Sequence, residues 1–358
     1  MYSGGIEHPY KDGIIFVSNR GPFKIVDDKY VLTKGGLVSA TLGLMKDGKS
    51  SWITASEEVG KNPVYHHNGD GYNFTWKTVH TSEEIIESYY ENICNSFLWP
   101  VCHYSEDILR SRTFPKITGS FNISDYDDYF QTNRNFAQAV KREYEFSPRP
   151  IWIQDYHFLP APRLVRRGLK PIVNGSVRDV PIGFFMHPPF ISKYARDLLN
   201  SNELWKHYDN ESPRKDIALG MLGADLIGFH VPEYVNDCVD FITEAVPGIK
   251  VDRDSKYVII THEKDGKRNE TYIGAFPIGL EIEKILESSK LENGCDHNSE
   301  YLDMDNLIKR RKSQGVTVIC GLGRMDYTKG ILESLEIMEE MLTRGENVQY
   351  IGYWCPSR

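Results

Sequence analysis

The segment Ile182-Gly183-Phe184-Phe185-Met186 is apolar at every position, and a strand of that kind has no wet face. It must lie inside a sheet covered on both sides, the setting of parallel strands in α/β folds. Short runs of related character are read as strands at 13–18, 51–55, 150–154, 180–186, 224–230, 257–261, 271–276, 316–321 and 348–353. Helix-period segments alternate with them, at 82–97, 126–146, 213–222, 232–245, 305–313 and 329–344. In 232–245, Asp237, Asp240 and Glu244 fall between apolar positions and leave one wet face. This alternation predicts an α/β chain, doubly wound, with a mainly parallel sheet.

A length of 358 residues suggests two domains. The boundary is placed at Phe276-Pro277-Ile278-Gly279, giving domains 1–277 and 278–358. After Val316 one helix and two strands remain, too little to bury both faces of a second doubly wound sheet. The expectation is therefore a second domain that is incomplete in this chain. The net charge of −8, from 42 Lys+Arg against 50 Asp+Glu, gives no support for a nucleic-acid or membrane partner. An anionic ligand would have to be held by local cations. The six cysteines form no C-x-x-C pair and read as reduced thiols of a cytoplasmic protein. Met1 to Gly13 lacks the build of a signal peptide, and no apolar run reaches a membrane span.

The run Gly321-Leu322-Gly323-Arg324-Met325-Asp326-Tyr327-Thr328-Lys329-Gly330 follows one strand and precedes a helix. A strand that turns through glycines into a helix gathers free N–H groups and the positive end of the helix dipole. Arg324 and Lys329 add two cations, which suits a diphosphate. The run fails the G-x-x-x-x-G-K-[ST] pattern, because Thr328 precedes Lys329. It also fails the dinucleotide fingerprint, because Asp326 holds the third glycine position.

Three other places end strands in polar residues, where open α/β sheets bind ligands. Ser18-Asn19-Arg20 ends the first strand, and Lys34-Gly35-Gly36 opens a helix after a loop. Gln154-Asp155-Tyr156-His157 ends another, and ionised Asp155 can accept hydrogen bonds from substrate hydroxyls. His157 is read as a satisfied structural histidine. His187 ends the apolar run and suits a hydrogen-bonding role, since no second histidine stands at metal-ligand spacing. Tyr90 and Trp99 lie on one helical stretch with aromatic faces that suit sugar rings, although a tryptophan is more often core. Arg358 could serve as an anion clamp or be a frayed terminus.

Taken together, these segments resemble the trehalose-6-phosphate synthase family, retaining glycosyltransferases of the two-Rossmann GT-B fold. The resemblance rests on Ser18-Asn19-Arg20, Gly35-Gly36-Leu37, Leu98-Trp99-Pro100, Ile151-Trp152-Ile153-Gln154-Asp155-Tyr156-His157, Gly183-Phe184-Phe185-Met186-His187, Leu226-Ile227-Gly228-Phe229, Pro277-Ile278-Gly279, 324–330 and Pro356-Ser357-Arg358. It implies transfer of glucose from a nucleotide-glucose donor to glucose 6-phosphate, without cofactor or metal. Arg324 and Lys329 would then hold the donor diphosphate, with Gly35 and Gly36 facing the same group. Arg20 and Arg358 would clamp the acceptor phosphate, with Tyr90 and Trp99 lining its site. Asp155 and Tyr156 would bind acceptor hydroxyls, and His187 would lie near the transferred sugar.

The chain departs from the family where synthases carry a second tryptophan in a Trp-Ser-Gly context; it reads Thr54-Ala55-Ser56. That departure keeps other acceptors open, as in glucosylglycerol-phosphate synthases. The resemblance also implies that later acidic donor-site residues fall beyond Arg358, so this piece alone is expected to be inactive. A non-catalytic sugar-phosphate-binding regulatory subunit is the reading of another class. A dinucleotide oxidoreductase using Gly321 and Gly323 is a third, disfavoured by Asp326. The nucleotide and any homo-oligomer are left open.

Overall fold

The computed structural model describes residues 13–26, 29–33, 36–46, 48–55, 64–69, 71–103, 123–169, 180–191, 196, 213–254, 256–264, 267–279, 282, 286 and 299–356. The chain divides into two compact units, Met1–Ile278 and Gly279–Arg358.

In the first unit, strands β1 (Ile15–Val17), β4 (Ser51–Ala55), β5 (Val64–Gly69), β6 (Tyr72–Val79), β7 (Ile151–Gln154), β8 (Ile182–Phe185), β9 (Leu226–Phe229), β10 (Lys250–Arg253), β11 (Val258–Lys264) and β12 (Lys267–Ala275) form one sheet. Their order is β10-β11-β12-β9-β8-β7-β1-β4-β6-β5. From β12 to β6 every pairing is parallel, and antiparallel β11 and β5 border that run. A separate hairpin pairs β2 (Phe23–Val26) with β3 (Lys29–Leu32).

Successive side chains of a strand point to opposite faces, and both faces here are dry. Ile15, Val17, Ile53, Ile151 and Ile153 join the larger core with Tyr89, Phe97, Tyr129 and Phe158. Phe16, Trp52, Phe74 and Trp76 build a second core on the other face. Strands that precede the helix Ile123–Phe146 lie on one side of β1, beginning with β4, and strands that follow it lie on the other, beginning with β7. The order of strands reverses there, which opens a crevice at the carboxyl ends of β1 and β7.

Several elements were not expected. The β2–β3 hairpin stands where a plain loop was read, and β5, β6 and β10 were missed. So was the helix Ala161–Gly168, which carries Pro162 in its first turn, where proline is well tolerated. This helix packs closely on a neighbour. A Cβ at Gly220 or Gly223 would overlap the backbone of residues 159–163.

Glu143, 4% exposed, anchors the amino edge of the sheet. It pairs with Lys77 and Arg149 and accepts a 2.6 Å hydrogen bond from Ser51. Burial would push its carboxyl up, but hydrogen bonds from Lys77 and Ser51 and the charges of Lys77 and Arg149 outweigh that and hold it low. A lowered folded pKa stabilises above the unfolded value and is lost as pH falls through the folded one. Glu143→Gln is expected to cost about 2 kcal/mol at neutral pH, the worth of hydrogen bonds to a charged group. That cost should shrink below pH 4 in urea melts followed across pH.

In the second unit, β13 (Thr317–Met325) pairs in parallel with β14 (Val348–Pro356). The helices Ser299–Ser313 and Ile331–Thr343 belong to the same unit. Leu322 and Tyr353 remain 80% and 68% exposed, as expected of a sheet too narrow to bury its faces.

Candidate active site

The carboxyl end of β1 is built to present Arg20. Ser18 Oγ accepts from Trp52 Nε1 at 2.8 Å and donates to the Arg20 carbonyl at 2.7 Å. Asn19 Oδ1 accepts from the Tyr89 hydroxyl at 2.9 Å. The backbone is therefore pinned while the guanidinium stays exposed. Arg20 Nη2 donates to the Tyr90 hydroxyl at 2.9 Å.

Tyr90 and Trp99 reach the site because of how their helix is wound. Residues 83–102 are helical, but Ile86–Leu98 is a π-helix, and the Trp99 N–H bonds to the Cys94 carbonyl five residues back. At about 4.4 residues per turn, nine residues make about two π turns. Tyr90 and Trp99 then share a face; at 3.6 per turn they would lie on opposite sides. Trp99 is half-buried against the larger core, with its ring centroid 5.7 Å from Tyr156.

Beyond β7 the chain turns sharply. Asp155 has φ 78° and ψ 167°, a region that side chains other than glycine rarely occupy. The turn is held by Asp155 N–H donating to the Phe185 carbonyl at 2.7 Å and by Tyr156 N–H donating to Asp155 Oδ1 at 3.0 Å. Burial pushes the Asp155 carboxyl up to about 7, against the N–H groups of Tyr156 and His187 that bond to it. Burial, then the Asp155 charge, pushes the Tyr156 phenol well above its usual range.

His157 differs from its expected satisfied state. It is buried, yet neither ring nitrogen has a hydrogen-bond partner among the described residues. Its neighbours offer ring faces instead: Tyr90 lies 5.8 Å away at 16°, and Tyr156 4.1 Å away at 30°. Burial, then the Arg20 charge, pushes its pKa down to about 3, so the ring is neutral. An unpartnered buried donor costs about 1–3 kcal/mol, which native folds rarely leave in place without a use.

At the ends of β7, β8 and β9, Gln154, His187 and His230 form a chain. His187 Nε2 lies 2.6 Å from Gln154 Oε1, and His187 Nδ1 lies 3.3 Å from His230 Nε2. Burial and then the neighbouring His230 push His187 down to about 4. His230 was not singled out from the sequence. Its signal was available: a polar residue directly after an apolar strand, as His187 follows β8. Among the described residues no group of three or more His, Cys, Asp or Glu could hold a metal ion.

Hydrogen bonds and ring contacts thus bring Arg20, Tyr90, His157, Tyr156, Trp99 and Asp155 into one cluster, with His187 joined through its backbone. It offers an exposed cation, hydroxyls, aromatic faces and a carboxyl group. Such a set can hold an anionic polyol. Gly36 begins the helix Gly36–Leu42, and a Cβ there would meet open space. Gly35 and Arg358 lie outside the described residues.

The second unit corrects one expectation. Gly321, Gly323 and Arg324 lie inside β13, so the chain does not turn at those glycines. They make room instead: a Cβ at Gly321 would overlap Tyr350 and Trp354. The turn comes at 326–330. Asp326 Oδ1 accepts from the Thr328 N–H and hydroxyl at 2.9 and 2.8 Å, and Gly330 caps the helix at φ 63°. Lys329 lies in the short 3₁₀ turn before that helix. Arg324 and Lys329 are exposed at the carboxyl end of β13, with no ion-pair partner among the described residues.

A family model described as Glycosyltransferase family 20 matches residues 13–352. The alpha,alpha-trehalose-phosphate synthase [UDP-forming] of Candida albicans is 27% identical over 354 residues, covering 95% of this chain and 63% of the relative. Its counterpart from Aspergillus niger is 29% identical over 354 residues, covering 95% and 58%. The chain therefore spans less than two thirds of these relatives' length. Among solved structures, the alpha,alpha-trehalose-phosphate synthase (UDP-forming) from Burkholderia xenovorans in complex with glucose-6-phosphate has a TM-score of 0.68. It is 21% identical, covering 96% of this chain and 66% of that one. A trehalose-6-phosphate protein from E. coli bound with UDP-2-fluoro glucose has a TM-score of 0.65 at 23% identity, covering 96% and 65%. These structures share the α/β fold with its mostly parallel sheet, and the match of the family model over nearly the whole sequence shows that this chain belongs to glycosyltransferase family 20.

Proposed function

We propose that the protein containing this chain transfers glucose from UDP-glucose to glucose 6-phosphate with retention, giving trehalose 6-phosphate. The observation that carries the reading is the Arg20–Tyr90–His157–Tyr156–Asp155 cluster at the strand-order reversal, in a family whose relatives named above are UDP-forming trehalose-phosphate synthases. Arg20 receives the acceptor phosphate, with Arg358 as a second clamp. Asp155 and Tyr156 orient acceptor hydroxyls, and Tyr90 and Trp99 wall the sugar. Arg324 and Lys329 stabilise the charge that grows on the departing diphosphate, with Gly35 and Gly36 facing it. His187 lies near the transferred sugar. Without an enzymic nucleophile, the step passes through an oxocarbenium-like ion pair, and a leaving-group oxygen takes the acceptor proton. Binding supplies the rest by holding donor and acceptor in reacting geometry.

Ala55, which ends β4 where the family carries tryptophan, favours a second reading in which the acceptor is another phosphorylated polyol. One experiment separates the readings. Full-length protein is given UDP-, ADP- or GDP-glucose with glucose 6-phosphate or glycerol 3-phosphate, and nucleoside diphosphate release is followed. Release with glucose 6-phosphate and an α,α-linked product by NMR supports the first reading. Release only with glycerol phosphate supports the second. Acceptor binding without release from any pair leaves a regulatory subunit.

A further inference from the structure

We propose that His157 is a further anion-binding residue of the Arg20 site, donating its imidazole N–H to the phosphoryl group that Arg20 receives. The inference rests on the acceptor reading above and adds a residue to it. The ring is 7% exposed and has no hydrogen-bond partner at either nitrogen among the described residues. A neutral imidazole carries one N–H donor and one lone pair, so a donor is held in reserve. Tyr90 stacks on the ring and Tyr156 lies tilted against it at 30°; both nitrogens are enclosed, so a ligand must displace a neighbour to reach them. The main chain beneath is fixed, because Asn133 Nδ2 donates to the His157 carbonyl at 3.1 Å.

Tyr90 joins this ring to Arg20. Its hydroxyl accepts the Arg20 hydrogen bond, and its ring stacks on the imidazole. Arg20, whose charge already acts on the imidazole, is that neighbour in this proposal: an anion that draws the guanidinium off the Tyr90 hydroxyl opens the way to the ring. A neutral donor suits that place, since it adds no repulsion to Arg20. A cationic residue would repel the guanidinium, and a carboxylate would repel the ligand. When the anion binds, the reserved N–H gains its partner, and the cost of burying it is recovered as affinity.

Two kinds of variant separate binding from stacking. His157→Phe keeps an aromatic ring and removes both nitrogens. His157→Asn and His157→Gln give up the ring and keep an amide donor near the Nδ1 or Nε2 position. The chain is titrated by calorimetry with glucose 6-phosphate and with inorganic phosphate. We expect His157→Phe to weaken both ligands about tenfold, and one of the two amide variants to stay within about threefold of wild type. His157→Leu, also lacking a donor, replaces His157→Phe should that variant not fold. Equal binding by wild type and His157→Phe, or weaker binding by both amide variants than by His157→Phe, overturns the inference alone. Failure of wild type to bind glucose 6-phosphate, or full binding by Arg20→Ala, overturns the acceptor reading and the inference with it.

Discussion

Lys329→Ala is expected to slow glucose transfer by the full-length protein about 10²–10³-fold, the usual loss when one preorganised donor to a developing charge is removed. Lys329 lies in the short turn between β13 and the helix Ile331–Thr343. Its ammonium is exposed and has no ion-pair partner among the described residues. The nearest carboxylate in sequence is spent elsewhere, since Asp326 Oδ1 accepts both hydrogen bonds from Thr328. Truncation therefore leaves the fold untouched and deletes only a charge aimed outward. The loss should fall on kcat and kcat/KM together, because the diphosphate is most negative as it leaves. Lys329→Arg should recover part of the rate. A change below threefold on Lys329→Ala would show that this residue does not face the leaving group.

The polar strand ends that build the site were legible because their strands are apolar throughout. β1, β7 and β8 announce themselves, and polar residues at or just beyond their ends join the site, whereas His230 after the equally apolar β9 was passed over. The edge of the sheet was harder. Val64-Tyr65-His66-His67-Asn68-Gly69 is too polar to read as a core strand, although Asn68-Gly69 is a hairpin signal. Phe23 to Leu32 alternates around Asp27-Asp28 in the same way. The π-winding had no clear signature. Apolar pairs recur every four residues, at 85/86, 89/90, 93/94, 97/98 and 101/102, between the periods of an α-helix and a π-helix. Nor can composition tell a partnered histidine from an unpartnered one, which is why His157 was misread. What decides its state is the pair of tyrosine faces against it, one from the same turn and one from a helix 67 residues earlier.

Asp155→Gly is expected to stabilise the fold while lowering kcat/KM for the acceptor about 10²-fold, the cost of losing a group that holds a reacting partner in position. The residue stands at φ 78° and ψ 167°, where a side chain costs about 1–3 kcal/mol and glycine costs nothing. Its carboxyl is also held at about 7 by burial. An acid whose folded pKa lies above its unfolded value of 3.8 releases its proton more readily when unfolded. Stability therefore falls as pH rises from about 4 to about 7, and glycine removes that slope. Against these gains stand the entropy of an added glycine, about 0.5–1 kcal/mol, and the lost hydrogen bonds from the Tyr156 and His187 N–H groups, about 1 kcal/mol each. Strain and desolvation have the same sign and together are the larger sum at pH 7, so melts there should show a Tm raised by about 2–4 °C. Function moves the other way. Acceptor hydroxyls are oriented best by the ionised carboxylate, so wild-type kcat/KM for the acceptor should climb with pH through about 7, while Asp155→Asn gives a flat profile at low rate. A melting temperature below wild type would refute the strain argument. Undiminished turnover would refute the role of Asp155 at the acceptor. Both results arriving as expected would mean that this chain retains a conformation its fold disfavours because the carboxylate is needed at that point of the crevice.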